Sequence, residues 1–206
     1  MNTQQTERHV GHRAPVRRIG VLTGGGDAPG LNGVIRAVVL AAERLGWECF
    51  GIRDGFNGLL APETCAGEPV VRLRSLDVQS IGHLGGTILG STNRGNPLHY
   101  PQVDGDGAAV ERDRTREVVD LCRARGLDAL VIVGGDGSMG IANALHALGL
   151  PVGVPKTIDN DLDRTFFTFG FDTAVGFACE CIDRLHTTAH SQHRVMVVEV
   201  MGRYAG

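Results

Sequence analysis

Three aspartates stand where two apolar runs give way to loops. Asp136 lies in Val133-Gly134-Gly135-Asp136-Gly137-Ser138, after the run Ala129 to Val133. Asp159 and Asp161 lie in Val154-Pro155-Lys156-Thr157-Ile158-Asp159-Asn160-Asp161, after the run Pro151 to Val154. Short apolar runs bounded by such loops read as buried strands, and open α/β sheets bind ligands at the carboxyl ends of their strands. The three carboxylates are therefore expected to share one site. Like charges that close repel unless a cation or a proton relay accompanies them. Glycines beside them let backbone N–H groups approach phosphate oxygens. Carboxylates, a divalent cation and glycine-lined phosphate together point to phosphoryl transfer.

Magnesium suits this set, because it takes few carboxylates and fills its shell with water and phosphate oxygens. Asp136 is read as a magnesium ligand, direct or through water. Asp159 and Asp161 lie two apart, so an extended segment would turn both to one side. One of them would accept a proton from an attacking hydroxyl and the other would help hold the metal. The competing structural readings are a turn aspartate at 136 and a capping cluster at 159–161. Arg194 and Arg203 bracket the last apolar run; each reads alternatively as a surface arginine, and Arg203 after Gly202 is placed to clamp a phosphate or developing charge. His186 and His190 are four apart, but the glutamate of a metalloprotease helix is absent, so they read as an exposed helix end. Cys179 and Cys181 read as packing residues.

The elements that must position these residues alternate. Arg18–Thr23 reads as the first strand and runs into Gly24-Gly25-Gly26-Asp27-Ala28-Pro29-Gly30. Asn32 is placed to cap a helix carrying Val34, Ile35, Val38, Val39, Ala42 and Leu45, with Gly46 ending it. Strand, glycine turn and helix together form an anion-binding arrangement, with a purely structural αβ turn the competing reading, since the turn fits neither G-x-G-x-x-G nor G-x-x-x-x-G-K-[ST]. Trp47–Ile52 and Val70–Leu73 read as strands, Ser75–Ile81 as a short helix, and Gly85–Pro97 as a strand flanked by glycine and polar loops. Residues 100–110 read as a surface loop, since Asp104-Gly105-Asp106-Gly107 lacks the later carboxylates of a calcium loop. Helices are expected over Glu111–Arg125, Met139–Leu148 and Thr173–Thr188. Phe166, Phe167, Phe169 and Phe171 suggest a half-buried strand or linker, and Arg194–Val200 a final strand. This alternation predicts an α/β fold, an open, mostly parallel sheet with helices on both faces.

A chain of 206 residues with net charge −3 is long enough for a substantial core and offers no electrostatic case for nucleic acid or an anionic membrane. No apolar run reaches the roughly 18 residues of a membrane span. The five cysteines, odd in number and without C-x-x-C spacing, read as free thiols in a reducing, cytoplasmic setting. Residues 1–17 read as a disordered tail.

In the order IGVLTGGGDAPGLN, GGTILGS, GGDGS, PKTIDND, FGFDTA and EVMGRYAG, these segments resemble the 6-phosphofructokinase family from about Arg18 to Gly206. The resemblance implies two α/β domains with the site between them. It implies transfer of the ATP γ-phosphoryl to the 1-hydroxyl of fructose 6-phosphate with Mg2+. On matching positions Asp159 would accept the proton, with Thr157 and Arg203 beside it in catalysis. Gly26, Asn93, Arg94, Gly135, Asp136, Gly137 and Ser138 would surround the nucleotide phosphates, with Asp136 and Asp161 near the metal. Thr157, Ile158, Asp159, Met201, Gly202 and Arg203 would line the sugar phosphate. Arg194 would reach it across a subunit boundary, in a homo-oligomer. Phe56 would pack near adenine.

Departures from the pattern are informative. Asn93-Arg94 stands where the familiar bacterial ATP enzymes carry Arg-Phe. Lys156 replaces a glycine and is typical of pyrophosphate-dependent members and of some ATP-dependent ones. Gly137 favours ATP, because pyrophosphate-dependent members carry aspartate there. Arg36 matches one effector-site arginine, but its companion position is Leu40. The family is also well over a hundred residues longer. The chain is therefore expected to be an amino-terminal part, with 18–171 a nucleotide-binding domain and 172–206 the start of a substrate domain. A non-catalytic nucleotide-binding fragment is the alternative of another class.

Overall fold

A computed structural model describes residues 16–203. The expected tail falls almost wholly outside them, as do Tyr204, Ala205 and Gly206. In chain order the elements are β1 (Arg18–Thr23), α1 (Leu31–Arg44), β2 (Glu48–Ile52), α2 (Asn57–Leu60), β3 (Val70–Leu73) and α3 (Ser75–Val78). A hairpin follows, β4 (Tyr100–Val103) and β5 (Ala109–Arg112), then α4 (Thr115–Ala124), β6 (Ala129–Gly134), α5 (Asp136–His146) and β7 (Pro151–Thr157). The last elements are β8 (Phe169–Gly170) and α6 (Phe171–Gln192).

Six strands form one sheet in the order β3-β2-β1-β6-β7-β8, parallel except for the antiparallel edge β3. Because β1 and β6 are covered on both faces, they are nearly continuous apolar runs. Alternate residues feed two cores. Leu22, Leu130 and Ile132 pack with Val118, Cys122, Ile141 and Leu145 of α4 and α5. Val21 and Val133 pack with Ile35, Val39 and Val78 of α1 and α3. The chain leaves β1 towards β2 on one side and returns to β6 on the other. Their carboxyl ends therefore diverge, which opens a crevice at the switch point.

Several expectations need correction. Gly30, in the left-handed region at φ 91°, is the N-cap of α1, so Asn32 lies inside the first turn and does not cap it. Residues 85–97 form no regular strand, because Gly86, Gly90 and Gly95 all take positive φ and break the run. The expected loop at 100–110 is largely a hairpin. It takes in Glu111 and leaves α4 to start at Thr115. Among the phenylalanines the burial is inverted: Phe166 is 92% exposed, and Thr168 is buried at 4%, its hydroxyl donating to Thr157 O at 2.7 Å. Only Phe169–Gly170 of that segment pairs as strand. Residues 194–200 are not a strand among the described residues, and Val195 and Val197 face solvent. No side chain of α6 is buried, so Cys179 and Cys181, expected to pack, are exposed instead.

All five cysteines are unpaired. Burial pushes the Cys49 thiol up to about 12, helped by the charge of Glu43, and the Cys122 thiol up to about 11. No helix among the described residues is long and apolar enough to cross a membrane.

Candidate active site

The crevice at the switch point holds a cavity of about 390 Å³. Its floor is two glycine turns that follow β1 and β6. The first is fastened to the second strand, since Gly24 N donates to Val133 O at 2.9 Å. Gly134 has to be glycine, because a Cβ there would stand 2.3 Å from Ser138 Oγ and 2.9 Å from Gly24 O. Gly26 and Gly137 are different: a Cβ at either meets nothing within 4 Å. Both leave backbone open to the cavity, as close approach of phosphate requires.

Asp136 is the first residue of α5, three residues earlier than the sequence pattern places the helix. Its carboxylate thus sits at the positive end of the helix. Thr157 ends β7, and its hydroxyl donates to Asp159 Oδ2 at 3.2 Å while accepting from Asp159 N at 3.1 Å. Asp159 is held facing the cavity by this small ring of contacts. Asp161 also lines the cavity, but not by simple extended alternation. Asn160 between them turns at φ 50°, with Oδ1 accepting from Thr168 N at 2.9 Å.

Arg203 closes the arrangement. Its Nη1 donates to Asp161 Oδ2 at 2.9 Å, and its Nη2 stands 3.8 Å from Asp136 Oδ2. Two carboxylates from different turns thus meet one cation. Such a pair of carboxylates could hold a magnesium ion that takes the rest of its shell from elsewhere. The arrangement does not fit an all-protein cage: among the described residues no three metal-ligating side chains gather.

Lys156 is 3% exposed, and its Nζ donates to Gly26 O beneath the first turn. Burial lowers its pKa, and the nearby Asp27 charge opposes that shift.

Most of the sequence-nominated residues meet here. Phe56, Gly26, Asn93, Arg94, Gly135, Asp136, Gly137, Ser138, Thr157, Ile158, Asp159, Asp161, Met201 and Arg203 all line the cavity. Gly202 does not, and Arg194 is exposed away from it. Sequence reasoning passed over Asp27, Thr92 and Ile141, which also line it. Asp27 and Thr92 lie within the quoted glycine motifs and were legible there; Ile141 carries no signal beyond helical spacing.

A family model described as phosphofructokinase matches residues 18–206. An ATP-dependent 6-phosphofructokinase of Chloroflexus aggregans is 54% identical over 191 residues, 92% of this chain and 51% of that protein. A pyrophosphate–fructose 6-phosphate 1-phosphotransferase of Streptomyces coelicolor is 51% identical over 192 residues, again 92% of this chain and 51% of the relative. A solved phosphofructokinase from Saccharomyces cerevisiae superposes with TM-score 0.72 at 31% identity, covering 92% of this chain and 26% of its own. The chain spans about half the length of the curated relatives it matches.

Proposed function

The chain belongs to the phosphofructokinase family, and we propose that it carries the donor-binding and catalytic part of a site transferring phosphoryl from ATP to the 1-hydroxyl of fructose 6-phosphate. The observation that carries this reading is the convergence of Asp136, Thr157, Asp159, Asp161 and Arg203 on one cavity floored by two glycine turns. Asp159 accepts the proton of the attacking 1-hydroxyl, with Thr157 fixing the carboxylate's direction. Backbone N–H groups of Gly135 to Ser138 and the turn at Gly26 receive the donor phosphates. Asp136 and Asp161 would hold magnesium, which would supply neutralisation of charge on the donor phosphates. Arg203 turns from these carboxylates to the transferring group. Ile158, Met201 and Gly202 shape the sugar-phosphate side. Residues 18–171 constitute the nucleotide-binding domain and 172–206 begin the substrate domain. Arg194, lying outside the cavity, serves the site of another copy in a cytoplasmic homo-oligomer.

A second reading has its own support. Lys156, a buried cation under the first glycine turn, suits a pyrophosphate donor, and relatives of both donor types match at similar identity. Open space at Gly137 favours ATP. Kinetics of the full-length protein with ATP and pyrophosphate side by side decide between them. A higher kcat/KM for pyrophosphate assigns the donor role to the second reading. In the same protein Asp159→Asn should lower kcat by about 10²–10⁴-fold with donor binding nearly intact. A near-normal kcat removes Asp159 from the role of base.

A further inference from the structure

The first glycine turn is not shaped by its own sequence. A polar network from outside the cavity holds it, and that network begins at Asn32. Asn32 is 2% exposed, on the first turn of α1. Its Nδ2 donates to Leu84 O at 3.3 Å and Gly85 O at 3.1 Å, and its Oδ1 accepts from Ile88 N at 2.8 Å. The side chain thus fastens both limbs of the loop entering residues 85–94. Beyond that clamp the loop is tied to β1. Thr23, fully buried, donates from Oγ1 to Gly90 O at 2.6 Å and faces Thr87 Oγ1 at 3.1 Å. Beyond Gly90, Ser91 Oγ donates to Gly25 O at 2.6 Å, and Gly25 N donates to Thr92 O at 3.0 Å. Gly25 is therefore held from both sides by the loop, in the left-handed conformation at φ 80°. The same loop carries Thr92, Asn93 and Arg94 to the cavity wall. Asn32 lines neither that cavity nor the one adjoining it, while Ser91 lines only the adjoining one, beside Gly25 and Thr92.

We propose that Asn32 is a positioning residue for the Gly24–Asp27 turn, acting through residues 84–94 and Ser91. It makes no contact with substrate. A buried amide with all its bonds in one loop has two functions that can be separated: holding the fold, and setting the turn that faces the donor. Only the second predicts an effect carried past Ile88 to Gly25.

The test uses Asn32→Asp and Ser91→Ala in the full-length protein. Asn32→Asp keeps size and the acceptor for Ile88 N but loses both donations. Ser91→Ala cuts only the last link and leaves the Asn32 clamp in place. Hydrogen exchange at the Gly25 amide should accelerate about tenfold in both variants, with the Gly51 amide in β2 unchanged. The KM for ATP should rise about five- to tenfold while the KM for fructose 6-phosphate stays within about twofold. The kinetic arm rests on the proposed donor reading; the exchange arm does not. A wild-type protein inactive with either donor defeats that reading and leaves the exchange result to decide this one. Unchanged exchange at Gly25 in Asn32→Asp, whatever Ser91→Ala does, or a parallel rise of both KM values that follows lost thermal stability, overturns the proposal.

Discussion

Replacing Gly137 with aspartate should leave the fold as stable or slightly more so while sharply weakening the use of ATP. Gly137 is the second residue of α5, and a Cβ there meets nothing within 4 Å. The substitution therefore costs no packing. Removing glycine from a helix gains about 0.1–0.3 kcal/mol when aspartate replaces it. A carboxylate in the first turn gains about 0.3–1 kcal/mol from the helix dipole, part of which repulsion from Asp136 takes back. The net is on the order of +0.5 kcal/mol. On the donor side the new carboxylate enters the cavity beside the glycine turns. At about 5 Å from a phosphate charge, with an effective dielectric near 20, the repulsion is about 3 kcal/mol. That is about 10²-fold in kcat/KM for ATP. Pyrophosphate has no α-phosphate to bring against this position, and its kcat/KM should change far less. The assay is donor kinetics on the full-length protein, with thermal melting alongside. Equal losses for both donors, or an ATP value within about threefold of wild type, would refute the placement of the nucleotide phosphates against Gly137.

Two further substitutions address the cations of the site. Lys156→Met tests burial of the ammonium. Because burial holds the folded pKa of Lys156 below 10.5, the folded protein releases this proton at lower pH than the unfolded chain. Stability of the wild type relative to the variant should rise from the folded pKa up to that of the unfolded chain. The wild-type melting temperature minus that of the variant should rise from about pH 7 to 10, and a constant value counts against a perturbed lysine. Arg203→Gln should lower kcat about 10²-fold, yet tighten Mn2+ binding in the absence of nucleotide by about three- to tenfold, because the guanidinium no longer competes for Asp136 and Asp161. Electron paramagnetic resonance of free Mn2+ reads this directly, and unchanged affinity excludes the competition.

What was legible in the sequence was whatever a local pattern determines. Ile19 to Leu22 and Leu130 to Val133 are apolar without a break because both their faces are covered, so β1 matched the expected bounds and β6 ran one residue past them. That Asp136, Asp159 and Asp161 line one cavity followed from strand order at a switch point, which the alternation of elements already implied. The start of α5 was hidden by Gly137 and Gly140, poor helix formers that the packing of Ile141, Ala142 and Leu145 overrides. The hairpin at 100–112 gave no signal because its two strands bury nothing deeply, and Pro101 argues against a strand. The phenylalanines misled because size was taken for burial: Thr168 points inward since its hydroxyl has a partner on β7. Alternation in residues 194–200 is strong, but a strand exists only with a neighbour, and none pairs with it among the described residues.

The role of Asn32 was illegible for a related reason. At a helix start a buried asparagine satisfies either its own helix or a distant loop, and local sequence does not distinguish the two. Gly30 settles the matter by taking the cap position itself, which frees Asn32 to reach residues 84–88. The consequence extends to function. Glycines at 24–26 permit close approach of a phosphate, but permission is not shape, since an unconstrained glycine turn samples many conformations. Here the shape comes from three directions: Ser91 on Gly25 O, Lys156 on Gly26 O, and Val133 receiving Gly24 N. Each of these contacts comes from a segment remote in sequence. A glycine motif read alone is thus a weak predictor of phosphate binding, and the same motif with its anchors in place is a strong one.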